Sequence, residues 1–200
     1  MTRVLFLDSS TRGRLVWGVA ERTGGAWEAV AAAIDEAPLD TGLPARLAAL
    51  DLRALEAVVV SLGPGSYTGV RAGVAAALGL ASSTGIPVHG CSSLEVLAAG
   101  AAPGHAAVYA AVDAGRGGLY VARVELHAVT GLPARSGAPR RLDATAVVHP
   151  PSEPMVTLDA VDLRRAVAGA VELGMSRPAL DPAHVETLMV AHGRVADARV

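Results

Sequence analysis

Lysine, asparagine and glutamine are absent from this 200-residue sequence, and all 17 basic residues are arginine. Without lysine there is no P-loop signature, no Schiff-base amine and no protein-kinase site. A gap spread over three residue types points to a compositional bias of the source rather than to selection for guanidinium chemistry. Cysteine occurs once, at Cys91, so no internal disulfide can form, and a lone thiol beside a serine pair reads as packing. Hydrophobic residues make up 52%, yet no uninterrupted apolar run approaches the roughly 18 residues that span a bilayer. The four apolar residues in a row before Asp8 are too few for a secretory leader, so a soluble, cytoplasmic protein with no membrane contact is expected. Acids outnumber bases 19 to 17, which leaves no basic surplus for unaided binding of nucleic acid. The six histidines are scattered without an HxxxH or HExxH pair, and no GxSxG elbow marks a nucleophile.

What is present suits one large domain or two small lobes, burying roughly 70% of the unfolded surface. Arg3 to Leu7 reads as a strand ending in the hydroxyl-rich turn Asp8-Ser9-Ser10-Thr11. Leu15 to Glu21 and Trp27 to Ile34 would complete an antiparallel meander, followed by a short helix over Leu43 to Leu50. Ala57 to Leu62 is continuously apolar, the pattern of a strand covered on both faces. A glycine-rich loop, Gly63-Pro64-Gly65-Ser66-Tyr67-Thr68-Gly69, then opens a helix from Val70 to Ser83. Val88-His89 is a brief strand, and Ser92 or Ser93 caps a further helix through Leu97.

The texture resets near residue 103. Ala106 to Val112 is a strand ending at Asp113, and a turn through Gly118 leads into a second strand, Leu119 to Leu126. Both halves thus open as strand, aspartate, small-residue turn, strand, a hint of duplication with lobes at 1–103 and 104–200. Five prolines between 130 and 154 predict loops with one short helix after Asp143. Helices are expected over Asp159 to Leu173, with Asp159 as N-cap, and over Pro182 to Val195.

Two constellations could carry chemistry. The loop at 63–69 either presents backbone N–H groups to an anion at a helix N-terminus or is a structural turn in which Ser66 or Thr68 caps the helix. Asp8, Ser10 and Thr11 could orient a phosphate or a metal-bound water, and Asp113 would face them across a cleft, as in actin-like ATPases. Gly69, Gly73, Ala76, Ala77 and Leu80 form a low-profile stripe that serves either internal packing or a helix partner.

The stretches Leu5-Phe6-Leu7-Asp8-Ser9-Ser10-Thr11, Gly63 to Gly73 and Ala111 to Tyr120 resemble the TsaB (YeaZ) family of glycoprotease-like proteins. The likeness covers residues 3–126 best. It implies an α/β, actin-like (ASKHA) two-lobed fold, each lobe a mixed sheet flanked by helices. It also implies a non-catalytic subunit of tRNA threonylcarbamoyladenosine synthesis that pairs with the metal-holding transferase TsaD and works with the ATPase TsaE. On that reading tRNA is met only through the complex, no cofactor is tightly bound, ATP or ADP has room at the partner boundary, and the free chain can form a homodimer. The resemblance places the TsaD interface on Leu43, Leu47, Gly69, Val70, Gly73, Ala76, Ala77 and Leu80. It makes Gly63, Pro64, Gly65, Ser66 and Thr68 a structural loop, and Asp8, Ser10, Thr11 and Asp113 a vestigial nucleotide site. The chain departs from the family at Asp35 to Asp40, where a histidine-containing stretch is usual, and at its tail, Val195 to Val200. The competing expectation is an autonomous phosphotransferase using Asp8 and Asp113 around magnesium and ATP; a peptidase has no nucleophile or metal set to support it.

Overall fold

Residues 2–36, 39–183 and 185 are described by a computed structural model. Its first sheet begins with the expected meander: β1 (Arg3–Asp8), β2 (Leu15–Thr23) and β3 (Ala26–Asp35) pair antiparallel. Beyond β1 the pairing turns parallel, with β4 (Ala57–Ser61) beside β1 and β5 (Val88–Cys91) beside β4, giving the order β3-β2-β1-β4-β5. Helix α1 (Leu39–Ala48) and helix α2 (Tyr67–Thr84) follow β3 and β4, and α3 (Ser93–Ala99) follows β5. Ser92 caps α3 through a reciprocal capping box with Glu95, which satisfies two N-terminal amides at once. The second sheet is built on the hairpin β6 (Ala107–Gly115) and β7 (Gly118–Leu126), with short strands β8 (Pro133–Ser136) and β9 (Arg140–Asp143) both on β7 and β10 (Met155–Val156) parallel to β6. Two mixed sheets flanked by helices make the α/β two-lobed arrangement expected from the sequence.

Strand alternation sends β1 in two directions. Leu5 and Leu7 join Val58 and Val60 of β4 beneath Val70, Val74, Ala77 and Leu80 of α2. Val4 and Phe6 join Val16 and Val59 on the other face beneath Ala166, Val167, Ala170 and Val171 of α4 (Leu163–Met175). Every residue of β4 is buried, as its unbroken apolar run requires. A third core joins Leu94 and Leu97 of α3 to Val108, Ala110 and Val124 of the second sheet, so α3 ties the two sheets together.

Several local expectations are corrected. Helix α1 starts four residues before Leu43 and ends at Ala48, with Pro44 inside it; Asp35 closes a two-pronged ion pair with Arg46 at 2.7 Å on each arm. That guanidinium, which also stands 5.3 Å from the Trp17 ring centre, holds the Asp35 carboxyl below its usual range. Helix α4 is capped by Asp162, because Asp159 lies inside a separate 3-10 turn, Leu158–Ala160, that ends before the helix begins. The proline-rich stretch contains two short strands, and the turn after Asp143 is a single 3-10 turn capped by that aspartate. The boundary at 103 separates the two sheets but not their helices: α4 comes from beyond the second sheet and covers the open face of the first. Most of the helix expected over 182–195, and the tail Val195 to Val200, lie outside the described residues. Among those described, no helix is long and apolar enough to cross a membrane.

Candidate functional site

The residues singled out by sequence meet at the end of β1. Asp8 is only 6% exposed, and its Oδ1 accepts the Ser10 N–H at 2.7 Å, folding the chain into an Asx turn. Burial pushes its carboxyl above the ordinary value of 3.8, against the opposing pull of hydrogen bonds from Ser10 and Ser61. Ser61, at the end of β4, shares a 2.6 Å hydroxyl contact with Ser93 at the start of α3, and the Ser93 N–H donates to Gly63 O at 3.0 Å. The sequence reading missed Ser61 and Ser93; a serine closing an otherwise apolar strand beside a conspicuous loop was the available signal.

The glycine loop lies directly on this turn. Ser66 N–H donates to Ser10 O at 2.7 Å, and Ser9 Oγ donates to Gly69 O at 2.7 Å. Ser66, not Thr68, is the N-cap of α2 and takes the Gly69 N–H on its hydroxyl. The spacing of Gly65, Gly69 and Gly73 has a steric cause. A Cβ at Gly65 would strike Ser10 O, one at Gly69 would strike Ser9 O, and one at Gly73 would strike Ser9 Oγ. Three amides of this segment are spent within the chain: Ser66 on Ser10, Gly69 on the Ser66 hydroxyl, Val70 on the Ser66 carbonyl. Gly63 to Thr68 form a strand-to-helix turn held by the chain itself.

That packing takes up much of the expected partner surface. Val70, Gly73, Ala77, Leu80 and Leu43 are buried in the core of this chain, and Gly69, Ala76 and Leu47 are half-buried beside it. Regular spacing of small residues shows that backbones approach closely, not whose backbone approaches, and here it is the Ser9–Ser10 turn. The outward face of α2 carries instead Tyr67, Thr68, Arg71, Ala75, Gly79 and Ser82. Tyr67 is 71% exposed, with the Arg71 guanidinium 5.3 Å from its ring centre.

Asp113 repeats the Asp8 geometry, its Oδ1 accepting the Gly115 N–H at 2.7 Å. Asp8 is buried and Asp113 half-buried; Thr11 is half-buried, its carbonyl accepting the Arg14 N–H at 3.1 Å. The two turns are neighbours, since Arg12 of the first lies over Gly115 of the second, Nη2 standing 2.9 Å from where a Cβ would be. Among the described residues no three His, Cys, Asp or Glu side chains gather as metal ligands. Cys91 is buried, and burial first, then the nearby Asp8 carboxylate, push its thiol up, so it is an inert packing residue.

Two measurements test this geometry. Because the folded protein favours neutral Asp8, the stability this carboxyl contributes at low pH is lost as pH climbs through its raised folded value. Asp8→Asn keeps an acceptor for the Ser10 N–H and removes the ionisation. Its thermal midpoint relative to wild type should rise between pH 4 and pH 8, and a flat or falling difference would refute the assignment. Separately, Gly73→Ala should cost about 1–3 kcal/mol in urea unfolding by displacing Ser9, whereas Gly79→Ala, with open space at its Cβ, should be neutral or stabilising by up to about 1 kcal/mol.

Residues 45–159 match the family model described as TsaD, tRNA N6-adenosine threonylcarbamoyltransferase. The chain is similar to the Bacillus subtilis tRNA threonylcarbamoyladenosine biosynthesis protein TsaB, 48% identical over 66 residues, covering 33% of this chain and 29% of that protein. Similarity to Escherichia coli TsaB is 41% over 73 residues, covering 36% and 32%. The matched segments thus span under a third of these curated relatives. In fold the chain resembles the structure of YeaZ from Pseudomonas aeruginosa, with a TM-score of 0.70, 20% identity, and 94% and 98% of the two chains covered.

Proposed function

The chain belongs to the TsaD, tRNA N6-adenosine threonylcarbamoyltransferase, family, among its TsaB (YeaZ) members, and on that footing we propose that it is a supporting subunit of threonylcarbamoyladenosine synthesis on tRNA. In this reading a TsaD-type partner carries the reaction centre, and this chain binds and activates it. The observation that supports it is the commitment of the polar turns to the fold. Asp8 is sealed under Ser10 and Ser61, Asp113 holds the Gly115 amide, and the glycine loop is closed by Ser9, Ser10 and Ser66. A chain that spends these groups on itself, and has no lysine, is poorly equipped to transfer a group alone. The partner surface we propose is the outward face of α2, where Ala75 and Gly79 leave a low profile beside Tyr67 and Arg71. A TsaE-type ATPase, with nucleotide at the partner boundary, completes the proposed assembly.

The test is reconstitution with the cognate TsaD. Wild type should co-elute and raise threonylcarbamoyl incorporation into tRNA; Ala75→Arg and Gly79→Arg should each weaken pairing at least about tenfold while melting like wild type. Failure of the wild-type pair to associate refutes the role, and undiminished pairing by both variants refutes the face.

One observation favours the second reading, an autonomous ATP-dependent phosphotransferase: the Asp113 turn repeats the Asp8 turn, and Arg12, just past the first, reaches Gly115 of the second. Isothermal titration of the isolated chain with ATP and magnesium decides between them. The subunit reading expects no saturable heat at millimolar nucleotide, and ATP turnover abolished by Asp8→Ala would establish the alternative.

A further inference from the structure

Arginines from two other elements reach the tip of the β6–β7 hairpin, whose own turn carries a third. Arg116 sits in the turn, exposed, with φ +55, the one non-glycine among the described residues in the left-handed region. Arg12, also exposed, comes from the β1–β2 turn of the other sheet and lies over Gly115. Arg141 of β9 lies over Gly118, Nη2 standing 2.9 Å from where a Cβ would be, and donates to Gly115 O at 3.2 Å. Gly115 and Gly118 are cross-strand partners, so their missing side chains are what let two guanidinium groups settle against one hairpin tip.

Two carboxylates stand nearby, and the charge of Asp143 offsets part of that of Arg141, but neither is bonded to a guanidinium of the cluster. Asp113 is engaged by the Gly115 amide, and Asp143 by the amide and hydroxyl of Thr145 at 3.0 and 2.8 Å. Among the described residues neither Arg12 nor Arg116 forms an ion pair. Cations brought together on exposed tips repel, and an anion laid among them relieves that repulsion. Guanidinium forks match phosphate oxygens in particular. Their placement on protruding tips, bridging turns of both sheets, suits a chain of phosphates more than a single enclosed one. With a net charge of -2, the rest of the molecule supplies no diffuse attraction that would mask a local site.

We propose that Arg12, Arg116 and Arg141 grip the phosphodiester backbone of the tRNA while the partner subunit acts on it. This rests on the subunit reading above, and it gives the chain a direct hand in holding the substrate.

The experiment uses the full chain, reconstituted with its TsaD-type partner and an unmodified tRNA transcript, and measures KM and kcat for tRNA across a salt series. Arg12→Gln/Arg116→Gln, two exposed changes, should raise KM about tenfold, retain the rate at saturating tRNA, and flatten the slope of log affinity against log salt by about 1–2. Adding Arg141→Gln should extend both effects, and Arg12→Lys/Arg116→Lys should recover most of the affinity. Unchanged KM and salt slope in a variant that still pairs with its partner would overturn the inference and leave the subunit reading standing. A variant that loses ADP binding but keeps its tRNA KM would make the cluster a mononucleotide site and overturn it equally. A wild-type pair that neither associates nor modifies tRNA would bring down the subunit reading, and this inference with it.

Discussion

The contact on which the molecule turns is backbone against backbone, where the Ser9–Ser10 turn lies on the first two turns of α2. Few interactions in the fold tolerate less change, since the carbonyls of Ser9 and Ser10 occupy the space that side chains at Gly69 and Gly65 would need. That approach fixes the height of α2 above the sheet, and so the depth at which Val70, Val74, Ala77 and Leu80 meet Leu5, Leu7, Val58 and Val60. It also fixes the end of β1, where Asp8 is pressed out of water, and through Ser61 and Ser93 it reaches the start of α3. From α3 the linkage passes to the second sheet. A motif that looks like a ligand cradle is, in mechanical terms, a clamp between the strand that begins the fold and the helices that complete it.

Most of the fold was legible because its signals were local. The meander followed from period-two patterning and glycine turns, β4 from an unbroken apolar run, and the start of α3 from a serine pair suited to capping. The repeated strand-aspartate-turn-strand pattern hinted at two lobes, and the resemblance to TsaB proteins supplied their actin-like architecture. What failed to show were choices settled by partners distant in sequence. The strands β8 and β9 carry no alternation strong enough to announce themselves, because they are held by the edge of β7 rather than by burial.

The candidate site was legible in its residues but not in their roles. The glycine loop lies on the Asp8 turn, and Asp8 and Asp113 each accept an amide two residues on, so these groups are turned towards the protein's own amides and hydroxyls. The small-residue stripe on α2 shows why spacing alone misleads: the same glycines that would admit a partner helix admit Ser9 instead, and burial, not sequence, separates the two. Arginine was set aside at first as compositional bias, and only the reach of Arg12 and Arg141 to the hairpin tip that carries Arg116 gives three of the seventeen a shared place.

The route of α4 governs how this chain can come into being. As the polypeptide leaves the ribosome, β1, β2, β3 and β4 can pair and α2 can seat, yet Val4, Phe6, Val16 and Val59 present a bare apolar face until residues 163–175 have been made. The first sheet is therefore finished last, by a helix from the far end of the sequence. An amino-terminal fragment stopping near residue 103 would leave that face of the first sheet uncovered.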